Sequence, residues 1–265
     1  GGLRMRIGLI IIGDELLNGR RQDRHLAHMI EALAAWGHEP AWCLMLGDDP
    51  DYLTEQLRRT LATPDLTFCF GGIGATPDDH TRHCAARAAG VPLQRHPEAA
   101  ALIESRFGAA AHPYRIRMAD LPEAARLIPN PVNQIPGFSL GDHHFVPGFP
   151  QMAWPMVDWV LETHYPHLRR ATGPALYALT ITSKPESELI PLMETVLAEY
   201  PEIKLSSLPH IGERPHIELA LRGDGERTQA AWERLTGLLT ASGIGFEPSL
   251  ARQSENREVH DGSGT

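Results

Sequence analysis

The first ninety residues alternate between short apolar runs and amphipathic stretches. "RIGLIII" (6–12) and "LTFCF" (66–70) are continuous apolar runs typical of strands buried on both faces, and "EPAWCLML" (39–46) predicts a strand between them. An amphipathic helix pattern follows each strand, at 23–37, from Pro50 onward and at 79–90. Three strand–helix alternations predict an α/β fold with a doubly wound, mostly parallel sheet and helices on both faces.

The pattern then becomes less regular. Residues 97–107 predict another helix, whereas 108–142 are rich in Pro and Gly with little periodicity, which favours a binding loop over a plain connector. "HHFVPGFP" (143–150) predicts a short strand and a tight turn. A helix over 151–165 closes this region, with Trp154 and Trp159 as expected core anchors.

These patterns divide the chain into a larger domain at 5–166 and a smaller one at 175–247, joined by a linker-like segment. In the smaller one the order strand, helix, strand, strand, helix predicts an α+β fold. Residues 248–265 are polar and predict a disordered tail.

Composition narrows the possible partners. The chain has 265 residues and a formal net charge of -9, which argues against a broad nucleic-acid footprint, although Arg20, Arg21 and Arg24 form a local basic patch. No apolar run reaches the roughly 20 residues that cross a bilayer, so no membrane association is expected. The first residues also lack a signal-peptide cleavage pattern, which predicts a cytoplasmic protein.

Cysteine usage gives no sign of a disulfide framework or a zinc site. Cys43, Cys69 and Cys84 are odd in number and lack the spacing of zinc ligands, so they are expected to be buried thiols.

The candidate chemistry lies in the loops after the first three strands, "GDELLNG", "GDDPD" and "GGIGATPDD". In a doubly wound sheet, ligands bind at the carboxyl ends of the strands, so these loops should meet. Gly71, Gly72 and Gly74 lack the side chains that would keep backbone N–H groups away from an anion, and a helix follows. A phosphate group is therefore expected at this edge.

Asp78 and Asp79 would repel a bare phosphate. Mg²⁺ resolves the conflict, because it is commonly held by one or two carboxylates together with the phosphate oxygens of a substrate. We therefore expect a phosphate or pyrophosphate bound with Mg²⁺, or with Co²⁺ or another divalent ion. Asp14 and Glu15, after the first strand, could supply a further metal ligand or hold a polar group of the substrate.

Each of these motifs also has a purely structural interpretation. Asp79 could be a helix N-cap within a tight connection, and Asp14 and Glu15 could cap a helical turn. The "GDD" at 47–49 fits capping and surface positions. His25 and His28, spaced as i and i+3, are more typical of an exposed helix face than of a metal site, and strand alternation should point only one of His143 and His144 inward.

The order of the motifs carries more information than any one of them. "GDELLNG", "GDDP", "GGIGATPDDHT", "NPVNQIPGF" and "VPGFP" together resemble the MoaB/Mog-type molybdopterin-binding domain, in the version found at the N-terminus of CinA-like proteins. The resemblance covers about residues 6–165. "ESEL" (186–189) and "HIGERPHIELALRG" resemble, more weakly, the small domain that follows in CinA-like proteins.

The resemblance implies a set of site residues. Gly71, Gly72, Gly74 and Thr76 match the loop that holds the phosphate side of the ligand, and Asp79 matches the acidic residue of metal-assisted adenylyl transfer. The full expected set has Asp78 and Asp79 as catalytic residues and Asp14, Asp78 and Asp79 as metal ligands. The expected substrate contacts are Gly13, Asp14, Glu15, Gly71, Gly72, Gly74, Thr76, Pro147 and Gly148.

Two functions follow from the resemblance. One is Mg²⁺-dependent cleavage or transfer at the pyrophosphate of a nucleotide such as ADP-ribose or FAD, and the other is non-catalytic binding of molybdopterin in molybdenum cofactor biosynthesis. The resemblance also implies self-association, as a homodimer or a higher homo-oligomer, and of these we expect the homodimer. The water-activating base stays open, with His25 and His144 as candidates, and no amidohydrolase activity is expected.

This chain departs from the CinA-like pattern at three places. Asp23, Arg24 and His25 stand where relatives usually have "DTN", Ala75 stands where proline is usual, and the residues after "PGFP" differ from the usual "PGxPxEM". These differences bear on the identity of the substrate more than on the fold.

Overall fold

The computed structural model describes residues 5–170 and 173–249. The chain divides into two compact units: the larger holds residues 5–33 and 39–169, and the smaller holds residues 34–38 and the described residues from 170 onward.

The larger unit follows the predicted alternation of strands and helices. Its helices are α1 (Asp14–Leu17), α2 (His25–Ala35), α3 (Pro50–Leu61), α4 (Thr81–Ala89), α5 (Pro97–Phe107) and α6 (Pro150–His164). Its strands are β1 (Ile7–Ile12), β2 (Trp42–Leu46), β3 (Leu66–Phe70), β4 (Leu93–Arg95), β5 (Asp120–Pro122), β6 (Arg126–Ile128), β7 (Gly137–Leu140) and β8 (His143–Val146).

Six strands form the central sheet in the order β2-β1-β3-β8-β7-β6. Strands β2, β1, β3 and β8 pair in parallel, while β7 and β6 add an antiparallel edge. The predicted mostly parallel α/β fold is therefore confirmed. Because the strand order reverses at β1, the loops after β1 and β3 flank a crevice of the kind in which such sheets bind ligands.

Helices cover both faces of this sheet. On one face, Ile10 and Cys69 pack with residues of α3, α4 and α5 in one core cluster. On the other face, Phe70 stacks with His25 of α2 at a ring-centroid distance of 4.3 Å. Burial on both faces explains why the strands are continuous apolar runs without polar alternation.

The start of α3 shows how local sequence sets an element boundary. The side chain of Asp49 accepts hydrogen bonds from the backbone N–H groups of Asp51 and Tyr52, and Pro50 occupies the first turn. The first N–H groups of a helix have no partner within the helix. The Asp49 side chain accepts from two of them, and Pro50 has no N–H to satisfy. The predicted capping role of Asp49 is confirmed.

The segment 108–142 is more structured than expected. It contains two 3₁₀ turns, at Gly108–Ala111 and Arg115–Ala119, and the short strands β5, β6 and β7. Strands of three or four residues are too short to show a hydrophobic period, which is why the sequence pattern missed them.

The smaller unit contains β9 (Ala175–Ile181), α7 (Glu186–Glu199), β10 (Lys204–His210), β11 (His216–Gly223), α8 (Gly225–Ala241) and β12 (Glu247–Ser249). Its four strands are antiparallel in the order β10-β11-β9-β12. This β-α-β-β-α-β arrangement is the ferredoxin-like motif.

Strand β12 corrects the predicted start of the tail. Pro248 and Ser249 pair with Leu179 and Ala178 of β9, so the sheet continues past residue 247. The rest of the predicted tail, 250–265, lies outside the described residues.

Other expectations have mixed outcomes. Cys69 and Cys84 are buried as predicted, whereas Cys43 is half-buried. Trp154 and Trp159 are also half-buried, so neither is a core anchor. In the part of the chain that the structure describes, no helix has the length and apolar character needed to span a membrane.

Candidate functional site

A cleft of about 430 Å³ opens at the carboxyl ends of β1 and β3. The structure brings ten of the eleven predicted site residues to its walls: Gly13, Glu15, Gly71, Gly72, Gly74, Thr76, Asp78, Asp79, Pro147 and Gly148. Asp14 is the exception, since its neighbour in space, Asp48, lines the cleft instead.

The conformation of the glycine loop (Gly71–Gly74) depends on its three glycines. Gly71 and Gly72 have φ angles of +103° and +72°, in the region that disfavours side chains. A Cβ on Gly72 would lie 2.1 Å from Thr81 Oγ1, and one on Gly74 would lie 2.6 Å from Asp79 Oδ2. Backbone conformation and packing therefore require Gly71 and Gly72, while Gly74 leaves room for the Asp79 carboxylate, and all three allow close approach by an anion.

Thr76 holds the two predicted catalytic carboxylates together. Asp79 Oδ2 accepts from the Thr76 backbone N–H at 3.0 Å and lies 2.6 Å from Thr76 Oγ1, and Asp78 Oδ1 also contacts that hydroxyl. The Thr76 hydroxyl lowers the pKa of Asp78. Two carboxylates thus converge on one hydroxyl at the rim of the cleft.

The N-cap interpretation of Asp79 is wrong. Helix α4 begins at Thr81 with His80 in the N-cap position, and no side chain caps it. The Asp79 side chain turns back to Thr76 instead, which leaves its carboxylate facing the cleft.

Arg82 holds the glycine loop in place and was not among the site residues predicted from the sequence. Its side chain is buried, and it donates to the carbonyl oxygens of Gly74 (2.9 Å), Arg117 (2.6 Å) and Asp120 (3.2 Å). Burial lowers the pKa of its guanidinium, and the nearby charges of Asp120 and Asp79 oppose that shift. A buried cation therefore joins the glycine loop to the 3₁₀ turn Arg115–Ala119 and the start of β5.

Hydrogen bonds between Asp14 and Asp48 join the loops that follow β1 and β2. The Asp14 N–H donates to Asp48 Oδ2 at 3.1 Å, and the Asp48 N–H donates to Asp14 Oδ1 at 2.8 Å. The expectation that the "GDD" serves only capping and the surface is therefore wrong for Asp48. Burial, followed by the negative charges of Asp14, Glu15 and Asp78, raises the pKa of Asp48.

The described residues 5–170 and 173–249 contain no group of three His, Cys, Asp or Glu side chains that could hold a metal by themselves. The predicted metal ligands Asp14, Asp78 and Asp79 are thus not gathered into one complete set. The carboxylates of Asp48, Asp78 and Asp79 nevertheless line one cleft. This donor set fits Mg²⁺ that arrives with phosphate oxygens, since Mg²⁺ commonly takes only one or two protein carboxylates.

Part of the cleft lining comes from the segment predicted as a binding loop. Asn130, Asn133 and Ile135 line the cleft there. Asn130 is 4% exposed, and its Oδ1 accepts from the Val132 N–H in an Asx turn. The paired asparagines around a proline in "NPVN" were the available sequence signal for this turn.

His25 is a buried structural residue, contrary to the expectation of an exposed helix face. Its Nδ1 accepts from Trp154 Nε1 at 3.0 Å, so its Nε2 carries the proton and donates to the Gly148 carbonyl at 2.8 Å. Burial lowers the pKa of His25. His25 therefore fixes the Pro147–Gly148 wall, and His28, which stacks on Trp154 at 3.8 Å, is also not freely exposed.

His143 and His144 lie on opposite faces of the sheet, as strand alternation predicts, and both are buried because both faces are covered. Neither histidine lines the cleft. His144 lies between Ser139 (2.6 Å) and the Tyr165 hydroxyl (2.7 Å), away from the cleft lining. His143 lies 2.9 Å from Thr60 Oγ1. Since His25 also has both nitrogens bonded, neither histidine proposed as the water-activating base is free for that task.

A second chamber of about 250 Å³ adjoins the cleft. The two spaces share Ile12, Glu15, Arg21, Gly148 and Phe149. Arg21 and Arg24, from the predicted basic patch, lie against aromatic rings: the guanidinium of Arg21 is 5.9 Å from the Phe149 ring centroid and that of Arg24 is 5.6 Å from the Trp154 centroid.

Comparisons with known proteins show what the chain is similar to. The family described as "Probable molybdopterin binding domain" matches residues 8–170. A CinA-like protein of Citrifermentans bemidjiense is 33% identical over 227 residues, covering 82% of this chain and 53% of the relative. A CinA-like protein of Geotalea uraniireducens is 30% identical over 240 residues, covering 88% of this chain and 56% of the relative. The chain thus spans about half the length of these curated relatives.

A solved structure supports the same fold. The crystal structure of the protein CinA with unknown function from Thermoplasma acidophilum is 29% identical to this chain, with a TM-score of 0.55, and covers 59% of this chain and 96% of that one.

Proposed function

The chain belongs to the molybdopterin-binding-domain family and is similar to its CinA-like members. From this premise we propose that it is a Mg²⁺-dependent enzyme acting at the pyrophosphate of a nucleotide of the ADP-ribose or FAD type. The observation that carries the proposal is the meeting of a glycine loop and three carboxylates, those of Asp48, Asp78 and Asp79, in one cleft.

The glycine loop is the part that binds phosphate. Its conformation is fixed by the Thr81 hydroxyl, which donates to the Gly71 carbonyl at 2.9 Å, and by Arg82 behind Gly74. A loop fixed in advance loses little conformational entropy when it binds an anion. The buried charge of Arg82 adds a positive potential behind the loop without occupying the cleft.

Asp78 and Asp79 are the residues that hold the cation in this proposal. A divalent ion bound between them and the phosphate would neutralise charge that develops on the phosphoryl oxygens during in-line attack. In the hydrolytic case, water adds across the P–O–P bridge, and ADP-ribose yields AMP and ribose phosphate.

Asp48 is the proton acceptor that we favour for the attacking water. It lines the cleft, and its raised pKa makes the carboxylate a stronger base than an ordinary aspartate.

A panel of ADP-ribose, FAD, NAD and diadenosine compounds, assayed with Mg²⁺, with Co²⁺ and with EDTA, tests the proposal. We expect metal-dependent release of AMP from at least one compound and none with EDTA. If no compound is cleaved in any condition, the enzymatic proposal fails.

The second candidate is a non-catalytic molybdopterin-binding protein in molybdenum cofactor biosynthesis. The description of the matched family favours it, and the same phosphate-binding loop would serve it. Pterin fluorescence in the purified protein, together with no turnover across the panel, would select this function.

Self-association is part of the same proposal, with a homodimer as the expected form. Light scattering of the purified chain measures this directly, and a monomer at all concentrations would remove dimerisation from the account.

A further inference from the structure

The chamber beside the phosphate cleft has a different chemical character from the cleft itself. Its floor is apolar and buried, formed by Ile11, Ile12 and Phe70 at the ends of β1 and β3. Phe149 lines one side of the chamber and is 54% exposed. The chamber therefore offers apolar and aromatic surface directly beside a site suited to phosphate.

The charges around the chamber do not favour a second phosphate. Arg21 and Arg24 are offset by Glu15 and Asp23, which line the same space. The carboxylate of Asp23 already accepts from the N–H groups of His25 and Leu26 at the start of α2. A neutral ring therefore suits this balanced rim better than another anion.

Arg21 and Phe149 stand where the two spaces join. Both line the cleft and the chamber, and the Arg21 guanidinium lies 5.9 Å from the Phe149 ring centroid. Aromatic and guanidinium planes are the groups on which planar rings stack. His25 holds this junction in place through its bond to the Gly148 carbonyl, next to Phe149.

We propose that the chamber binds the planar nitrogen heterocycle of the phosphorylated ligand, with the ring stacked on Phe149 beside Arg21 and the phosphates in the glycine-loop cleft. This inference rests on the proposed function and extends it: one ligand spans both spaces, and Phe149 and Arg21 set its specificity. The ring is the part that a nucleotide and a phosphorylated pterin have in common.

Paired ligands separate the ring from the phosphate. Calorimetric titration with Mg²⁺ compares ADP-ribose, supplied as its α,β-methylene analogue so that it is not cleaved, with inorganic pyrophosphate, which has no ring. We expect Phe149→Leu to weaken ADP-ribose binding about tenfold, the order of magnitude of a lost base–aromatic stack, and to leave pyrophosphate binding unchanged. Arg21→Lys should weaken ADP-ribose binding less, because it keeps the charge and loses the plane.

Tyr114 provides the matched control. It is 61% exposed, the Arg117 guanidinium lies 4.8 Å from its ring centroid, and neither space includes it in its lining. Tyr114→Leu should therefore leave both affinities at the wild-type value.

Three results would overturn the inference. The first is an unchanged affinity of Phe149→Leu for ADP-ribose, and the second is an equal loss of affinity for both ligands. Either result would contradict the ring contact but not the phosphate site. If the wild-type protein binds neither ligand, the proposed function fails as well. Neopterin monophosphate in the same titration identifies the source of the ring: tighter binding than ADP-ribose, with the same sensitivity to Phe149→Leu, supports the ring site and assigns it to a pterin.

Discussion

The cleft of the larger unit and the surface of the smaller unit arrange their charged side chains in opposite ways. At the cleft, like charges crowd together: burial raises the pKa of Asp48, and the carboxylates of Asp14, Glu15 and Asp78 raise it further. In the smaller unit, carboxylates face guanidinium groups, as in the pairs Arg227–Glu202 at 2.6 Å and Arg234–Glu199 at 2.9 Å. Repulsion of this kind does not help folding, and the divalent cation of the proposed function would relieve it.

The largest effect that tests this contrast is a loss of folding stability of the larger unit in acid. Burial lowers the pKa of His143 to about 4 and that of His144 to about 3, from 6.5. As the pH falls below 6.5, the unfolded chain binds protons before the folded one, so stability present at neutral pH is lost towards the folded-state values. We expect a loss of about 2 kcal/mol for each histidine between pH 7 and pH 5.

Denaturant unfolding at both pH values measures this loss. His143→Gln can keep the contact with the Thr60 hydroxyl while removing the titrating ring, so it should halve the pH dependence. If the wild-type free energy of unfolding is the same at pH 5 as at pH 7, the two histidines are not buried as neutral groups.

The next largest effect is expected at the glycine loop. Gly72→Ala places a Cβ 2.1 Å from Thr81 Oγ1 at a φ of +72°, so it should cost about 3 kcal/mol and also abolish pyrophosphate binding. Gly90→Ala is the control, because Gly90 has a similar φ of +69° but open space around it. It should cost only about 1 kcal/mol. Equal losses of stability in the two variants would mean that the contact with Thr81 is not tight.

A smaller effect is expected at Asp48. Asp48→Asn keeps an oxygen that can accept from the Asp14 N–H but removes a repelled charge. Because the pKa of Asp48 is raised, its ionised form weakens the fold at neutral pH, and the variant should be slightly more stable at pH 7. Turnover should fall about a hundredfold, as expected for a lost general base. Unchanged turnover would exclude Asp48 as the proton acceptor.

The smallest effect is expected in the smaller unit. Arg234→Gln breaks the solvent-exposed ion pair with Glu199, which salt screens. Thermal unfolding in low and high salt should give no measurable difference from the wild type. A clear loss of stability at low salt would show that the charge pairs of this unit do contribute to its fold.

The sequence predicts the parts of the molecule that depend on local pattern. The runs 6–12 and 66–70 are buried strands because the sheet is covered on both faces, and Asp49 caps α3 through bonds to the two residues after Pro50. The glycine loop and its two aspartates are likewise adjacent in the chain, so their meeting needs no long-range information.

Long-range contacts account for most of what the sequence did not reveal. Asp48 is held at the cleft by hydrogen bonds to Asp14, which is 34 residues away in sequence. The Nε2 atom of His25 bonds the carbonyl of Gly148, which is 123 residues away. Arg82 reaches the carbonyl of Asp120, 38 residues further on. No spacing rule connects such pairs, because each depends on the packing of separate elements.

The most direct test of the central claim is the release of AMP from ADP-ribose by the wild-type protein and by Asp79→Asn, each with Mg²⁺ and with EDTA. We predict Mg²⁺-dependent release by the wild type and a drop in kcat/KM of at least about a hundredfold in Asp79→Asn, with unchanged thermal stability. Full activity in Asp79→Asn, or release by the wild type that persists in EDTA, would contradict the account.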